Sequence, residues 1–149
     1  MKLCLVCSPG GHLFELNSLE AFWKKHERFW VTFHSSDVEY LLNKEKVYFA
    51  YRPTNRNILN LIRNFLLAVN ILKKERPNVV VTSGAGVGVP FIYIAKMFNI
   101  KTIYIESLTR IEDISLSGKM VYFVVDHFLV QWPELTKKYR KAMYIATNI

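Results

Sequence analysis

The chain has 149 residues, 51% of them apolar, and sets 20 Lys and Arg against 12 Asp and Glu for a formal charge of +8. That length buries one core and hardly two, and no linker, low-complexity stretch or internal repeat divides it, so a single domain over 1–149 is expected. The charge favours an anionic partner, with nucleic acid, anionic lipid and phosphorylated substrate all open. Lys24-Lys25, Lys73-Lys74-Glu75-Arg76 and Lys137-Lys138-Tyr139-Arg140-Lys141 nevertheless lack zinc-finger spacing and an aromatic nucleic-acid signature, and a solvated basic surface explains each run alone.

The first strand is predicted at Lys2–Cys7. Its apolar run stops at Ser8-Pro9-Gly10-Gly11, too short for a signal peptide or a membrane span, so the protein is expected to start and stay in the cytoplasm. Cys4 and Cys7 form a C-x-x-C, but three residues apart on a strand they face opposite ways, which points to buried small apolar residues rather than a metal or disulfide site. A helix follows over His12–Lys25, then a strand over Phe29–Phe33 and a helix over Val38–Leu42. Asp37 fits either a ribose-binding acid or a helix N-cap, and the cap is preferred.

A strand at Val47–Ala50 precedes the long helix Asn57–Lys74, closed by Pro77. Its stripe Ile58, Leu61, Ile62, Phe65, Val69 and Leu72 is expected to face the core. Leu59, Leu66 and Leu67 add a second apolar flank near Arg63, Lys73 and Lys74, which suits either peripheral membrane contact or burial on two sides. The remaining strands are predicted at Asn78–Thr82, Lys101–Ile105, His127–Gln131 and Met143–Ile145, and helices at Val89–Phe98, Leu116–Val124 and Glu134–Lys141. Pro90 and Pro133 stand where first-turn prolines are tolerated.

This alternation predicts an α/β fold, a Rossmann-like doubly wound parallel sheet whose strand ends share one rim: Ser8–His12, His34–Asp37, Ser83–Gly88 and Glu106–Ser117. Two glycine-lined helix starts on that rim, Ser8-Pro9-Gly10-Gly11-His12 and Ser83-Gly84-Ala85-Gly86-Val87-Gly88, would present backbone N–H groups to an anion, and the pair suits a diphosphate. The bland alternative is that the glycines only allow tight turns. No Gly-x-Gly-x-x-Gly, Gly-Lys-Ser or Gly-Lys-Thr occurs, which argues against a dinucleotide site or a P-loop. His12 could take a proton from a sugar hydroxyl, hydrogen-bond a phosphate, or serve as a plain polar cap. Glu106 is a carboxylate on the same rim with Arg110 in reach to orient it or bind phosphate, or the two form a simple surface ion pair.

Taken in order, Ser8-Pro9-Gly10-Gly11-His12, Thr82-Ser83-Gly84-Ala85-Gly86 with Pro90, Ile105-Glu106-Ser107 with Arg110, and Val130-Gln131-Trp132-Pro133 resemble one family over nearly the whole chain. It is the acceptor subunit, commonly membrane-anchored, of the two-part N-acetylglucosaminyltransferase that builds the dolichyl-diphosphate chitobiose unit. Closer still are the bacterial capsule and exopolysaccharide glycosyltransferase enhancer subunits.

The resemblance implies the N-terminal half of a GT-B glycosyltransferase, with the UDP-sugar bound by a separate donor-binding chain and a polyprenyl-diphosphate-linked sugar as acceptor. It implies that Ser8, Gly10, Gly11, His12, Ser83, Gly84, Ala85, Gly86 and Arg110 hold the acceptor's diphosphate. His12 or Glu106 would be the base, and Trp132 and Pro133 would meet the partner. No cofactor, metal or nucleic acid is expected, and Asp-x-Asp is absent.

The end at Ala146-Thr147-Asn148-Ile149 fits passage toward a donor domain supplied elsewhere. Unlike the eukaryotic members, the chain has no N-terminal membrane helix, so contact with an anionic membrane at its inner face is expected to be peripheral. Two other readings stand beside this one: a non-catalytic recruiting scaffold, and a nucleotide-binding Rossmann protein.

Overall fold

A computed structural model describes residues 1–146, and the expectation placed on the last residues of the chain lies in part outside them, at 147–149. Strands β1 (Lys2–Val6), β2 (Glu27–Thr32), β3 (Val47–Phe49), β4 (Val79–Thr82), β5 (Lys101–Ile105), β6 (His127–Val130) and β7 (Ala142–Tyr144) form one parallel sheet in the order β3-β2-β1-β4-β5-β6-β7. The helices are α1 (Gly11–Asn17), α2 (Glu20–Trp23), α3 (Ser36–Leu41), α4 (Ile58–Glu75), α5 (Gly88–Met97), α6 (Leu116–Val121) and α7 (Glu134–Lys138).

Side-chain alternation along β1 builds two cores. Leu3, Leu5 and Cys7 pack with Leu13, Leu16, Trp23 and Val38 from α1 to α3, while Cys4 and Val6 pack with Ala68 and Leu72 of α4, Ile92 of α5 and Val121 of α6. Cys4 and Cys7 therefore lie in different cores, both buried and free. β1 pairs β2 on one side and β4 on the other, so the chain leaves β1 for one layer and β4 for the opposite one. The crevice between their carboxyl ends is the switch point of the sheet.

The helix predicted over His12–Lys25 is two helices. Ser18 Oγ donates to the Glu15 carbonyl at 2.6 Å, and the Trp23 indole donates at 2.9 Å to the Leu16 carbonyl, which a continuing helix would have used. The break seats Trp23 edge-on against Trp30, 5.4 Å away. Helix α3 starts two residues earlier than predicted, and its cap is Ser35, whose Oγ accepts from Val38 N; Asp37 sits inside the first turn, so its assignment as the cap is corrected.

The inner face of α4 also differs from the predicted stripe. Asn60, Asn64, Ala68, Ile71, Leu72 and Glu75 are buried, whereas Ile58 is 75% and Ile62 52% exposed. Phe65, Val69 and Leu72 of the stripe do pack on the core, and backbone hydrogen bonding explains the departure nearer the start of the helix. Asn64 takes the Tyr51 N–H and donates to the Tyr51 carbonyl, both at 2.9 Å, and Asn60 donates to the Pro53 carbonyl at 2.9 Å, so the β3–α4 loop spends two buried amides on its own polar groups. Of the second flank, Leu59 and Leu66 are exposed, and Leu67 packs on the core.

Candidate functional site

The loop after β1 turns at Gly10, whose φ of 82° and ψ of −134° lie in a region open essentially to glycine alone. The Gly10 N–H is not offered to a ligand: it donates to Asp37 Oδ2 at 2.7 Å. The Ser35 hydroxyl, then this amide, hold the Asp37 carboxyl below the usual carboxylate range. The donors of this loop without an intrahelical acceptor are the first-turn amides of α1, among them those of Gly11 and His12. Ser8 is half-buried at the base of the loop.

The β4–α5 loop is built differently, and the two glycine loops are not copies of one device. Gly84 N–H donates to Thr82 Oγ1 at 3.2 Å, Gly88 N–H to the Ala85 carbonyl at 3.2 Å and Val89 N–H to the Gly86 carbonyl at 3.4 Å, so the turn consumes much of its own donor capacity. Ala85 is held in the left-handed region at φ 66°, and a Cβ on Gly86 would come within 3.1 Å of Thr54 Oγ1 from the β3–α4 loop.

Across the crevice the loops are joined by a reciprocal pair. His12 Nδ1 lies 2.7 Å from the Ser83 carbonyl oxygen, and Ser83 Oγ donates to the His12 carbonyl at 2.8 Å. A carbonyl only accepts, so Nδ1 carries a proton and the tautomer of the neutral ring has its lone pair on Nε2. The ring is 32% exposed. Gly84 makes the approach feasible, since a Cβ there would sit 3.2 Å from His12 Cε1 and 3.0 Å from the Tyr104 hydroxyl. Burial, with the Glu106 charge beside it, pushes the Tyr104 hydroxyl up, so it stays a neutral donor.

Glu106 is 1% exposed and both carboxylate oxygens are committed. Oε1 accepts the Ser107 N–H at 3.0 Å; Oε2 accepts the Ser115 N–H and hydroxyl, each at 2.9 Å. With the Ser115 proton used there, the Tyr104 hydroxyl donates to Ser115 Oγ at 3.0 Å, completing a chain from Tyr104 through Ser115 to Glu106. Arg110, expected to orient Glu106, is exposed and forms no ion pair among the described residues. Serine groups do that work instead.

Trp132 is half-buried, packs on the core and donates Nε1 to the Leu108 carbonyl at 2.6 Å, while Pro133 is exposed as the residue capping α7. The sequence reading missed Glu15. Its Oε1 accepts Ser107 Oγ at 2.9 Å and Leu108 N–H at 3.0 Å, tying α1 to the loop beyond β5. Only its spacing of three from His12, one turn along the same helical face, signalled it.

The chain superposes on MurG of Acinetobacter baumannii with a TM-score of 0.73 at 14% identity, covering 89% of this chain and 42% of that one. A UDP-GlcNAc 2-epimerase of Methanocaldococcus jannaschii gives a TM-score of 0.76 at 15% identity, covering 97% and 46%. The chain thus has the Rossmann-like fold of one half of a GT-B glycosyltransferase.

By sequence it is 47% identical over 75 residues to the UDP-N-acetylglucosamine transferase subunit alg14 of Schizosaccharomyces pombe, which is 46% of this chain and 35% of that protein. The human subunit ALG14 is 32% identical over 94 residues, 59% of this chain and 44% of that one. The chain thus spans less than half the length of either relative. The family described as oligosaccharide biosynthesis protein Alg14 like matches residues 46–148, which takes in Ser83, Glu106 and Trp132 and leaves Ser8–His12 before its start. Because that match spans more than half of its residues, the chain belongs to the Alg14-like family of oligosaccharide biosynthesis proteins.

Proposed function

We propose that this chain is the acceptor-binding subunit of a bipartite glycosyltransferase for polysaccharide or lipid-linked oligosaccharide biosynthesis. A separate donor-binding chain supplies a UDP-sugar, with UDP-N-acetylglucosamine the first candidate from the names of its relatives. The acceptor is a polyprenyl-diphosphate-linked saccharide. Its diphosphate rests on the first-turn amides of α1 at Gly11 and His12 and on the Ser83–Gly86 loop, with the Arg110 guanidinium on the same rim. One observation carries this reading: the Ser83 carbonyl accepts from His12 Nδ1, so in the neutral ring the lone pair is on Nε2 of a side chain that is 32% exposed. Glu106, buried with both oxygens engaged, braces the loop and leaves the proton transfer to His12.

Among the described residues no helix is long and apolar enough to cross a membrane. Membrane contact is proposed to be peripheral, at the inner face of an anionic bilayer. Its surface would be the exposed apolar flank of α4, Ile58, Leu59, Ile62 and Leu66, with Arg63, Lys73 and Lys74 on the same helix.

The test is reconstitution. The chain is mixed with a candidate donor-binding transferase, UDP-N-acetylglucosamine and a polyprenyl-diphosphate-linked sugar, and transfer is measured. Activity well above that of the partner alone is expected, and no gain overturns the proposal. The engaged state of Glu106 and the self-bonded β4–α5 loop favour a second reading, a non-catalytic scaffold that recruits the transferase. Equal stimulation by wild type and His12→Ala would select it.

A further inference from the structure

Helix α1 turns Glu15 inward on the side of His12. The Glu15 side chain is 13% exposed, and while Oε1 binds Ser107 and Leu108, Oε2 is buried with no hydrogen-bond partner among the described residues and lies 3.9 Å from His12 Nδ1. A carboxylate oxygen removed from water without a partner is costly unless a positive charge compensates it. An imidazolium is such a charge. The other titratable groups around the crevice are Tyr104 on β5, Glu106 and Arg110 beyond it, and Asp37 of α3 under Gly10, and none of them pairs with the His12 ring among the described residues.

We propose that Glu15 is a positioning residue for His12: it fixes the start of α1 against the Ser107–Leu108 loop and stabilises the ring once it is doubly protonated. The proposal rests on the transferase reading above. In that step the acceptor hydroxyl gives its proton to His12 Nε2, and its oxygen forms a bond to the anomeric carbon of the donor sugar. The bond from that carbon to the diphosphate breaks, its electron pair leaving on the nucleoside diphosphate. The ring becomes a cation as the leaving group gains negative charge, and Oε2 meets that cation through a gap with little water between them.

Glu15→Gln separates the two roles, since its carbonyl oxygen can still accept from Ser107 and Leu108 while the charge is gone. Ser107→Ala removes a loop bond and keeps the charge. The ring resonances of His12 are followed by NMR through a pH titration of the full chain. The expected result is a midpoint lower in Glu15→Gln than in wild type and unmoved in Ser107→Ala.

In the reconstituted transferase, kcat should fall roughly tenfold or more in Glu15→Gln, with KM for the acceptor changed by less than about twofold. An unmoved midpoint in Glu15→Gln overturns the proposal, whatever the activity does. A shifted midpoint with unchanged kcat, in an enzyme that His12→Ala inactivates, also overturns it. A shifted midpoint in a protein whose activity survives His12→Ala supports the coupling and instead removes the transferase reading. Should Glu15→Gln not fold, Glu15→Asp draws the charge back from the ring, and the same lowered midpoint is expected and the same unmoved one is fatal.

Discussion

Ser83 and His12 hold each other twice, through the ring nitrogen on the Ser83 carbonyl at 2.7 Å and the Ser83 hydroxyl on the His12 carbonyl at 2.8 Å. The first bond sets the tautomer and the second only ties the loops. His12→Asn tests the division, because its side-chain amide can still donate to the Ser83 carbonyl but has no base in place of Nε2. We expect near-native thermal stability with transferase activity down by about 10²-fold or more. Ser83→Ala should cost about 1 kcal/mol of stability and leave most of the activity. Full activity in His12→Asn would remove His12 from the chemistry.

Glu106 is expected to behave as a brace. In Glu106→Gln an amide NH2 replaces one of two oxygens that both face N–H donors, at Ser107 and Ser115. The expected cost is about 2 kcal/mol, a fall in Tm of roughly 4–8 °C, with activity at permissive temperature within a few-fold of wild type. Gly118→Ala should destabilise in the same way while leaving the Glu106 carboxylate in the chain, since its Cβ would crowd Glu106 Oε2 at 2.5 Å. A folded Glu106→Gln protein with activity down a hundredfold would return the base assignment to Glu106.

Acid should weaken the fold through Glu75. Burial works to raise its pKa, but the ammonium groups of Lys2 at 2.7 Å and Lys46 at 2.5 Å, with the Tyr48 hydroxyl, hold it down to about 2. A depressed carboxyl contributes stability that is complete above its unfolded value, 4.5, and is lost as pH falls through the folded one near 2. The contribution is about 3 kcal/mol. Chemical denaturation of Glu75→Gln and wild type should therefore give curves that differ most at neutral pH and converge between about pH 4.5 and pH 2. A gap that stays constant over that window would refute the assignment.

The α4 surface predicts vesicle binding. Ile62→Glu with Leu66→Glu places two charges where side chains are 52% and 61% exposed, so Tm should move by less than roughly 2 °C. Sedimentation with phosphatidylglycerol vesicles should drop about tenfold or more relative to wild type. Equal sedimentation would move membrane contact to another surface or remove it.

The strands could be read from sequence because a sheet covered on both faces demands runs such as Val79-Val80-Val81, and those runs ended in glycine loops that the fold brings to one rim. The inner face of α4 could not. Asn60 and Asn64 look like solvent residues until the backbone of Tyr51 and Pro53 arrives to use them, and nothing local announces that demand. The break after α1 depended on a tryptophan indole seven residues from the carbonyl it takes. Asp37 was noticed for the wrong reason: its partner is Gly10, 27 residues away. Glu15 resembles an ordinary polar residue on an amphipathic helix, and only contact with Ser107, 92 residues on, gives it a role.

The layers on the two faces of the sheet are fed by different strands, α1 by β1 and α5 by β4, and His12 and Ser83 are the stitch between them. In the unfolded chain the His12 imidazole exchanges freely between its two neutral forms. The choice of nitrogen is made only when residues 71 positions apart meet across the seam, so the placement of the ring's lone pair is a property of the finished sheet rather than of the loop that carries it. A histidine ring of this kind reports, by which of its nitrogens bears the proton, whether both crossovers have closed.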